Sequence, residues 1–525
     1  MDILGAASRL QQRARRLSLP ETNDDAARRQ LATALAWLAA FAAVVHAVSF
    51  VGSGPIDDDF ITYRYARNWV EGQGLAFNAG QRFEGFTAPL WVMILALGWK
   101  ASVAPALLSV SLSIISTGVA TLAVGRAWGR RYRHQVWPLP ALFLALTPAF
   151  AWHGVAGLGS TLLAALLALW FDLYDRAHRA GRASKGAAVY LALACLLRQE
   201  CALFALFYVL LEWRRRPSPW LALPVLSLLG WTLFRLVYFG RLLPITYSVK
   251  KLPLLADLEL GLEYLLLSTL FAGVGLLWIA SLLPRVSRPF SKTLGFPTRH
   301  GPLDVAFLGC SAHALYVVYV GGDYVPFARF FIPTLPLLAF VGLAGVMDAL
   351  PSTRARLAAV FVLLLPVQWG HLYRENRFLE HSFLTERWRR LGEHLGHVLP
   401  EGASVAMAPI GAFGWASDLW IVDILGLTHD GMLAAEPDPV IWVKGHQRTD
   451  PDWVLAQRPD FVILANGQRH GRELLINPWE RKLFAHPRFQ NEYVMTQIEI
   501  PGDAPLDLFQ RADIAPLSGA ALRVD

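Results

Sequence analysis

Apolar stretches of membrane-spanning length recur through the first 371 residues of this 525-residue chain. A helix needs about 20 consecutive apolar residues to cross a bilayer, and a run of that length begins at residue 31. Further runs lie near 104–124, 136–151, 158–174, 187–197, 201–212, 219–237, 264–283, 303–320, 330–348 and 356–370. Over the whole chain 54% of residues are hydrophobic and 17% are charged, against about 25% charged in soluble domains. The pattern predicts a polytopic α-helical membrane protein and argues against a soluble enzyme.

Basic clusters mark alternate connections between these runs and indicate their orientation. After a basic tail over 1–30, the clusters lie at 126–133, 176–185, 214–216, 285–299 and 354–356. Because cytoplasmic loops carry an excess of Lys and Arg, we place the tail and all five clusters in the cytoplasm. This gives about 11 transmembrane helices within 31–371 and puts residues 372–525 on the outer face. The run 88–100 is short and ends in Lys100, so it either spans or re-enters and is left out of the count.

Several functional classes lose support from what the sequence lacks. The formal net charge of +8 comes from clusters between apolar runs, which does not predict a nucleic-acid partner. Cys195, Cys201 and Cys310 lie in apolar segments and predict no disulfide framework. There is no Walker A motif, no strand-linked GxGxxG and no zinc spacing. An ATP-driven transporter and a cytoplasmic nucleotide-sugar enzyme are therefore disfavoured, and a membrane-borne donor is the natural replacement.

The composition changes after about residue 372, where charge rises and apolar runs shorten. Strand-like stretches at 404–408, 419–424 and 460–464 alternate with helical patterns at 382–397 and 450–458. This alternation predicts a compact α/β domain over 372–525, on the outer side of the membrane.

Unusual polar residues collect in the loops assigned to that outer side. Charges at membrane depth are costly unless they are paired or face an aqueous cavity, so such residues mark a site. The sequence therefore predicts an outward-facing site among Asp57, Asp58, Asp59, Arg64, Arg67, Glu84, Trp152, His153, Arg198, Glu200, Lys250, Lys251, Asp323 and Arg329.

The first outer loop, 52–87, is the most informative segment. Asp57, Asp58 and Asp59 precede residues with the spacing of a short amphipathic helix in the membrane interface. Acidic residues at a helix N-terminus are ordinary caps, but three adjacent carboxylates exceed that need and raise at least one proton affinity by repulsion. A carboxylate placed there suits a general base, and two of the three could instead hold a divalent cation. The residues leave both roles open.

The other outer clusters also have a structural and a functional interpretation. Arg198 and Glu200 could form an internal salt bridge in a broken helix, Lys250 could snorkel to the interface, and Arg329 could cap a helix end. Cations at the outer membrane face would alternatively bind a lipid phosphate, whose oxygens Arg grips in a bidentate manner. His153 alone is more typical of a packed residue than of a ligand.

An ordered set of motifs carries a more specific resemblance. They are Asp57–Asn68 (DDDFITYRYARN), Glu71–Asn78 (EGQGLAFN), Glu84–Thr87 (EGFT), Arg235 with Tyr238–Lys250, Gly321–Phe330 (GGDYVPFARF), Asp423–Thr428 (DILGLT) and Gly445–His446. Together they resemble the GT-C membrane glycosyltransferases of the AftB-type arabinofuranosyltransferase family. The chain departs from that family's pattern at Gly159, where a Glu is expected, and at Ala88, Gln199 and Ile245.

The resemblance implies a GT-C fold in a bacterial inner membrane, with the active site facing the periplasm. It implies inverting transfer from a polyprenyl-phosphate sugar, decaprenyl-phosphoarabinofuranose first, to a glycan, lipid-glycan or glycoprotein acceptor. Asp57 and Asp58 match the family's acidic pair and are the expected catalytic residues. The expected donor-phosphate ligands are Arg64, Arg198, Lys250 and Arg329, and the expected substrate contacts are Asp59, Arg67, Glu84, His153, Glu200, Tyr247 and Asp323.

Three other functions remain as alternatives. The first is a related transferase that moves another polyprenyl-linked sugar to lipopolysaccharide or pilin. The second is a transporter or flippase of a lipid-linked sugar, although the one-sided polar residues differ from the midplane site that alternating access needs. The third is a non-enzymatic envelope factor that retains the fold.

Overall fold

A computed structural model describes residues 23–133, 135–286, 301–325, 327–372, 374–465, 469–470, 473–474, 476–517 and 522–523. The predicted basic tail thus lies outside the described residues up to position 22, and its remainder forms the first turns of helix α1. The helices of the membrane part are α1 (Asn23–Val48), α2 (Asp57–Val70), α3 (Pro89–Lys100), α4 (Pro105–Arg131), α5 (Leu139–Leu146), α6 (Pro148–His153), α7 (Ser160–Arg179), α8 (Lys185–Leu197), α9 (Ala202–Arg215), α10 (Ala222–Phe239), α11 (Ile245–Lys250), α12 (Leu254–Ala272), α13 (Val274–Val286), α14 (Pro302–Tyr319), α15 (Leu335–Ala349) and α16 (Thr353–Leu372).

The apolar helices make this a multi-pass membrane protein. Within the described residues, four helical segments are long and apolar enough to span a bilayer: Asp25–Val48, Pro105–Arg131, Pro219–Phe239 and Pro302–Tyr319. A fifth is added if the bent pair α12–α13 counts as one span. On α10, Leu226, Leu229, Leu233 and Val237 are exposed at helical spacing, as a lipid-facing stripe requires. The count of 11 spans stays a prediction.

Two of the predicted apolar runs are not continuous helices in the structure. The run 264–283 falls on α12 and α13, which meet at Gly273 and are bent by 88°. The run 136–151 is split into α5 and α6 because Pro148 has no N–H to continue the helix. The ambiguous run 88–100 forms α3, whose 12 residues rise only about 18 Å and cannot cross a bilayer core of about 30 Å.

The C-terminal domain is built on a mixed sheet whose first strands match the sequence prediction. The strands lie in the order β2 (Trp420–Asp423), β1 (Ser404–Met407), β3 (Phe461–Val462), β7 (Leu506–Arg511), β6 (Tyr493–Ile498) and β8 (Leu522–Arg523). Both neighbours of β1 run parallel to it, and the remaining pairs are antiparallel. A separate hairpin joins β4 (Arg469–His470) to β5 (Glu473–Leu474). The helices are α17 (Arg374–Val398), α18 (Ile410–Ser417), α19 (Pro451–Ala456), α20 (Arg481–Phe484) and α21 (Pro487–Glu492).

Helix α2 joins the two parts of the molecule. It packs against α3 on one side and against α18 of the C-terminal domain on the other. Phe60 and Phe77 of the membrane part belong to the same buried cluster as Phe413 and Ile421 of the domain. The shared core fixes the acidic N-terminus of α2 against the domain.

Candidate active site

A cavity of about 470 Å³ lies where several helix ends of the membrane part meet the C-terminal domain. Its walls come from the loops assigned to the outer side and from the adjoining ends of the apolar runs, together with Leu427 and Lys444 of the domain. The predicted site residues that line it are Asp58, Arg198, Glu200, Tyr247, Lys250, Lys251, Asp323 and Arg329. The structure therefore gathers these eight side chains, which are scattered along the sequence, around one space.

The acidic triplet begins α2 as predicted, but its three carboxylates have different surroundings. Asp57 faces the C-terminal domain, where its carboxylate accepts the N–H of Ala412 at 2.7 Å and that of Gly411 at 3.2 Å. Burial raises the pKa of Asp57 to about 7, in spite of these two hydrogen bonds. Asp57 therefore caps the first turn of α18 and lies outside the cavity lining.

Asp59 serves α2 itself. Its Oδ2 accepts the N–H of Ile56 at 2.9 Å, which closes the N-terminus of the helix. The side chain is buried, and burial raises its pKa well above the ordinary value. The structure thus places Asp59 in a capping position rather than at the cavity wall.

Asp58 faces the cavity and is surrounded by donors. The Tyr324 hydroxyl donates to its Oδ1 at 2.8 Å, and Arg329 Nη1 donates to its Oδ2 at 3.2 Å. Burial acts to raise the pKa of Asp58, but the charges of Arg329 and Lys250 and these hydrogen bonds outweigh it and lower the pKa. Asp58 is consequently an ionised carboxylate at the edge of an open space.

Two arginines of the cavity are held by acidic partners. Arg329 also donates to Asp323 Oδ2 at 2.9 Å, and these neighbouring acids raise its pKa although burial opposes them. Arg198 donates to Glu200 Oε1 at 2.8 Å and to the Thr87 hydroxyl at 2.6 Å. The salt bridge that the sequence allowed for Arg198 is therefore formed, and its guanidinium still lines the cavity.

Two further side chains at this site, Tyr324 and Lys444, were not among the predicted site residues. Tyr324 contacts Asp58 and also lies 5.7 Å under the Lys250 ammonium. Lys444 ion-pairs with Asp257, which also lies 2.9 Å from Lys251. The signals were present, because Tyr324 follows Asp323 and Lys444 precedes the Gly445–His446 motif, but neither residue type in isolation predicts a cavity wall.

His446 lies beside Tyr324 as an uncharged ring. Its ring contacts the rings of Tyr324 and Trp479 at centroid distances of 5.2 and 4.5 Å. Burial lowers its pKa to about 4. At neutral pH His446 is an uncharged packing partner of Tyr324.

The remaining predicted residues lie away from the cavity. Arg64 is buried and donates to the carbonyls of Phe77 and Leu419, both at 2.8 Å, and to that of Gly414. Glu84 forms a buried ion pair with Arg235. Four predicted residues are held in structural contacts of this kind: Arg64, Arg67, Glu84 and His153. Of these, His153 is buried against the Trp152 ring. None of the four lines the cavity: Arg64 was expected to bind the donor phosphate, and Arg67, Glu84 and His153 were expected to contact substrate.

The three carboxylates of the acidic triplet, two of which could hold a divalent cation by the sequence prediction, each bind a different partner. Within the part of the chain that the structure describes, no group of three or more His, Cys, Asp or Glu side chains is placed to hold a metal ion.

Comparison with known proteins supports the resemblance seen in the motifs. A terminal beta-(1->2)-arabinofuranosyltransferase of Mycobacterium tuberculosis is 29% identical over 332 residues, which are 55% of this chain and 52% of that protein. The Corynebacterium glutamicum protein of the same name is 28% identical over 324 residues, covering 54% and 46%. The chain thus spans about half the length of the curated relatives it matches.

A family model and two solved structures also match this chain, over different shares of its length. Residues 377–508 match a family model described as "Domain of unknown function (DUF8728)". Among solved structures, ArnT from Cupriavidus metallidurans bound to undecaprenyl phosphate covers 73% of this chain and 85% of its own, with 14% identity and a TM-score of 0.42. The archaeal oligosaccharyltransferase AglB from Archaeoglobus fulgidus, in complex with an inhibitory peptide and a dolichol-phosphate, covers 91% and 75%, with 11% identity and a TM-score of 0.48. The curated relatives carry the conclusion: this multi-pass membrane protein is similar in sequence to the terminal arabinofuranosyltransferases.

Proposed function

We propose that this protein is an inverting membrane glycosyltransferase that takes a sugar from a polyprenyl-phosphate donor. The observation that carries the proposal is one cavity that holds an ionised carboxylate, Asp58, beside the cations Arg198, Lys250 and Arg329. A general base and a phosphate site are the two elements that such a transfer needs. The active site would face the periplasm of a bacterial inner membrane.

The donor phosphate binds to the cations of the cavity. Arg329 and Arg198 offer guanidinium N–H groups, and Lys250 adds an ammonium, which together suit phosphate oxygens. Apolar side chains such as Ile61, Phe86 and Leu203 line the same cavity. The polyprenyl chain remains in the membrane, so the donor reaches the cavity from the bilayer without a nucleotide.

The transfer is a single displacement. The acceptor hydroxyl oxygen attacks the anomeric carbon and forms the new glycosidic bond, and Asp58 takes the proton of that hydroxyl. The bond between the anomeric carbon and the phosphate oxygen breaks, and its electron pair leaves on polyprenyl phosphate. The cations stabilise the charge that develops on the leaving phosphate. One attack inverts the anomeric centre.

Arabinofuranose is the proposed sugar because the curated relatives are named terminal beta-(1->2)-arabinofuranosyltransferases. The proposed acceptor is an outer-face glycan, lipid-linked glycan or glycoprotein, which approaches between the membrane part and the C-terminal domain. Gly159 replaces the Glu that the family motif leads us to expect, so a panel of donor sugars belongs in the test.

The test is transfer by the purified full-length protein in detergent, with synthetic decaprenyl-phosphoarabinofuranose and a sugar-lipid acceptor, with and without EDTA. We expect product from the wild-type protein and a loss of about 10²- to 10⁴-fold in the Asp58→Asn variant, the usual contribution of a general base. Product formation that is unchanged in this variant would refute the assignment of Asp58. Failure of the whole panel of polyprenyl-phosphate sugars would refute the proposed function.

A further inference from the structure

The charges that line the cavity around Asp58 are divided unevenly between two groups of residues. Among the described residues of the lining, five are Lys or Arg and three are Asp or Glu. All three acids contact the two arginines. Glu200 binds Arg198, and Asp58 and Asp323 both bind Arg329. The remaining cations, which we name the lysine cluster, are Lys250, Lys251 and Lys444.

One buried carboxylate holds two members of the lysine cluster. Asp257, in the first turn of α12, is fully buried. It forms ion pairs with Lys444 and with Lys251, the latter at 2.9 Å, and its Oδ2 accepts the N–H of Leu252 at 3.2 Å. Because one carboxylate serves two ammonium groups, the three side chains together carry a net positive charge.

The ammonium groups of the lysine cluster lie close enough to repel one another. Burial and the charges of Lys251 and Lys250 lower the pKa of Lys444, although its contact with Asp257 opposes them. Lys444 belongs to the C-terminal domain, whereas the other two lysines belong to the membrane part. An anion bound between the three would remove this repulsion.

Two glycines leave the space that the lysine cluster occupies. A Cβ atom at Gly321 would lie 2.8 Å from Lys444 Nζ, and one at Gly445 would lie 3.0 Å from Lys250 Cε. Both glycines have a positive φ, which other residues rarely adopt. The backbone on both sides of the cluster is thus fitted to these side chains.

The charge of a polyprenyl phosphate changes during the proposed transfer. In the donor the phosphate is a diester with one negative charge. The leaving phosphate is a monoester, which carries about 1.5 to 2 negative charges at pH 7 because its second pKa is about 6. Cations placed where this charge develops stabilise the transition state more than the bound donor. The lysine cluster is a group of cations in surplus within the cavity and meets this need.

We propose that Lys251 and Lys444 bind the phosphate oxygen that becomes charged when its bond to the anomeric carbon breaks. The inference rests on the proposed function for the identity of the ligand. It gives the C-terminal domain a direct part in the chemistry through Lys444. It also predicts that the protein binds a prenyl phosphate monoester more tightly than the corresponding diester.

The experiment measures the Kd of farnesyl phosphate, a monoester, and of farnesyl methyl phosphate, a diester, by calorimetry of the full-length protein in nanodiscs. We expect Lys444→Met to raise the Kd of the monoester about 10- to 150-fold, the range for one lost hydrogen bond to a charged group. The Kd of the diester should change by less than about 3-fold. The matched control is Lys482→Met, which removes an exposed lysine paired with Asp438 in the same domain and should match the wild type.

A second variant tests the cluster while it keeps the ion pair between Lys444 and Asp257. Lys251→Met should weaken binding of the monoester selectively, and it keeps the test decisive if Lys444→Met does not fold. Equal weakening of both esters, or no change with either ester in both variants, overturns the inference. Inorganic phosphate that binds as tightly as farnesyl phosphate also overturns it, because the cluster is then a site for free phosphate.

Binding without turnover separates this inference from the proposed function. Selective loss of monoester binding in the two lysine variants supports the anion site even if the wild type transfers no sugar, in which case the proposed function fails alone. Where transfer is observed, Lys444→Met should lower kcat by a larger factor than it raises the donor KM. No binding of farnesyl phosphate by the wild type at millimolar ligand overturns the inference whatever the transfer assay shows.

Discussion

The cavity around Asp58 and the contact between α2 and α18 are built from the same kinds of charged residue, but the hydrogen bonds of these residues are used differently in the two places. In the α2–α18 contact, Asp57 accepts two backbone N–H groups and Arg64 donates to three backbone carbonyls. In the cavity, Asp58 and Arg329 contact each other and still face open space. A charged side chain is therefore a candidate for chemistry here only where backbone groups have not already used its hydrogen bonds.

Among the substitutions that leave Asp58 in place, the largest effect is expected from Arg329→Gln, which removes a charge from the cavity. The substitution takes away a proposed phosphate ligand and leaves Asp58 and Asp323 without their shared cation. Hydrogen bonds to charged groups contribute about 1.5–3 kcal/mol, so the donor KM should rise about 10- to 150-fold. Initial rates at varied donor concentration measure this.

The matched control is Arg488→Gln, which breaks an exposed ion pair with Glu492 on α21. Exposed pairs contribute about 0–1 kcal/mol, so this variant should retain wild-type donor affinity. If the two arginine variants change the donor KM equally, the cavity arginine matters no more to donor binding than an exposed surface arginine.

A smaller effect with a defined pH signature is expected from Lys250→Met. The Lys250 charge helps to lower the pKa of Asp58, so its removal raises that pKa. Because the base must be ionised to accept a proton, the acidic limb of the profile of kcat/KM against pH should move to higher pH. Rates measured from about pH 2.5 to 7, a range that extends below the ordinary carboxyl pKa of 3.8, test this, and a limb that stays in place would show that Asp58 does not govern it.

The smallest effect on catalysis is expected in the α2–α18 contact. Asp57→Ala removes an N-terminal cap of α18, which costs about 0.5–2 kcal/mol of stability, while the cavity keeps all its lining residues. We expect a lower melting temperature in detergent with little change in the donor KM. A loss of transfer as large as that of a cavity variant, without loss of stability, would assign Asp57 to the chemistry instead.

The same contact should give the wild-type protein a characteristic pH dependence of stability. Burial raises the folded-state pKa of Asp57 to about 7 from 3.8. A raised carboxyl pKa means that the folded state binds the proton more tightly than the unfolded state does. The contribution of Asp57 to the free energy of unfolding is therefore fully present below the unfolded-state pKa of 3.8 and is lost as the pH rises towards 7. Melting temperatures of the wild type and Asp57→Asn should therefore differ in their slopes between about pH 4 and 7.

Much of the fold follows from the sequence because local patterns carry it. Helices lie at the positions of the apolar runs, and β1, β2 and β3 fall within the stretches predicted from alternating residues. The break at Gly273 was not predicted, because a single glycine within an apolar run does not by itself distinguish a straight helix from a bent one. Strands β6 and β7 were also missed, since their pairing in the sheet was not visible in local alternation.

The division of roles within the acidic triplet could not be read from the sequence. Successive residues of a helix point about 100° apart, so three adjacent aspartates necessarily face three different surroundings. Which of them faces the cavity depends on partners that are hundreds of residues away, such as Tyr324 for Asp58 and Ala412 for Asp57. The same reason explains why Arg64 and Arg329 were equal candidates for the phosphate before the structure separated them.

The most direct test of the account is the transfer rate of three variants measured side by side: Asp57→Asn, Asp58→Asn and Asp59→Asn. We predict that Asp58→Asn alone loses about 10²- to 10⁴-fold in kcat, because Asp58 is the one residue of these three that lines the cavity. The other two variants should stay within a few-fold of the wild type at equal folded concentration. A comparable loss in Asp57→Asn or Asp59→Asn, with Asp58→Asn active, would contradict the assignment of this cavity as the site of sugar transfer.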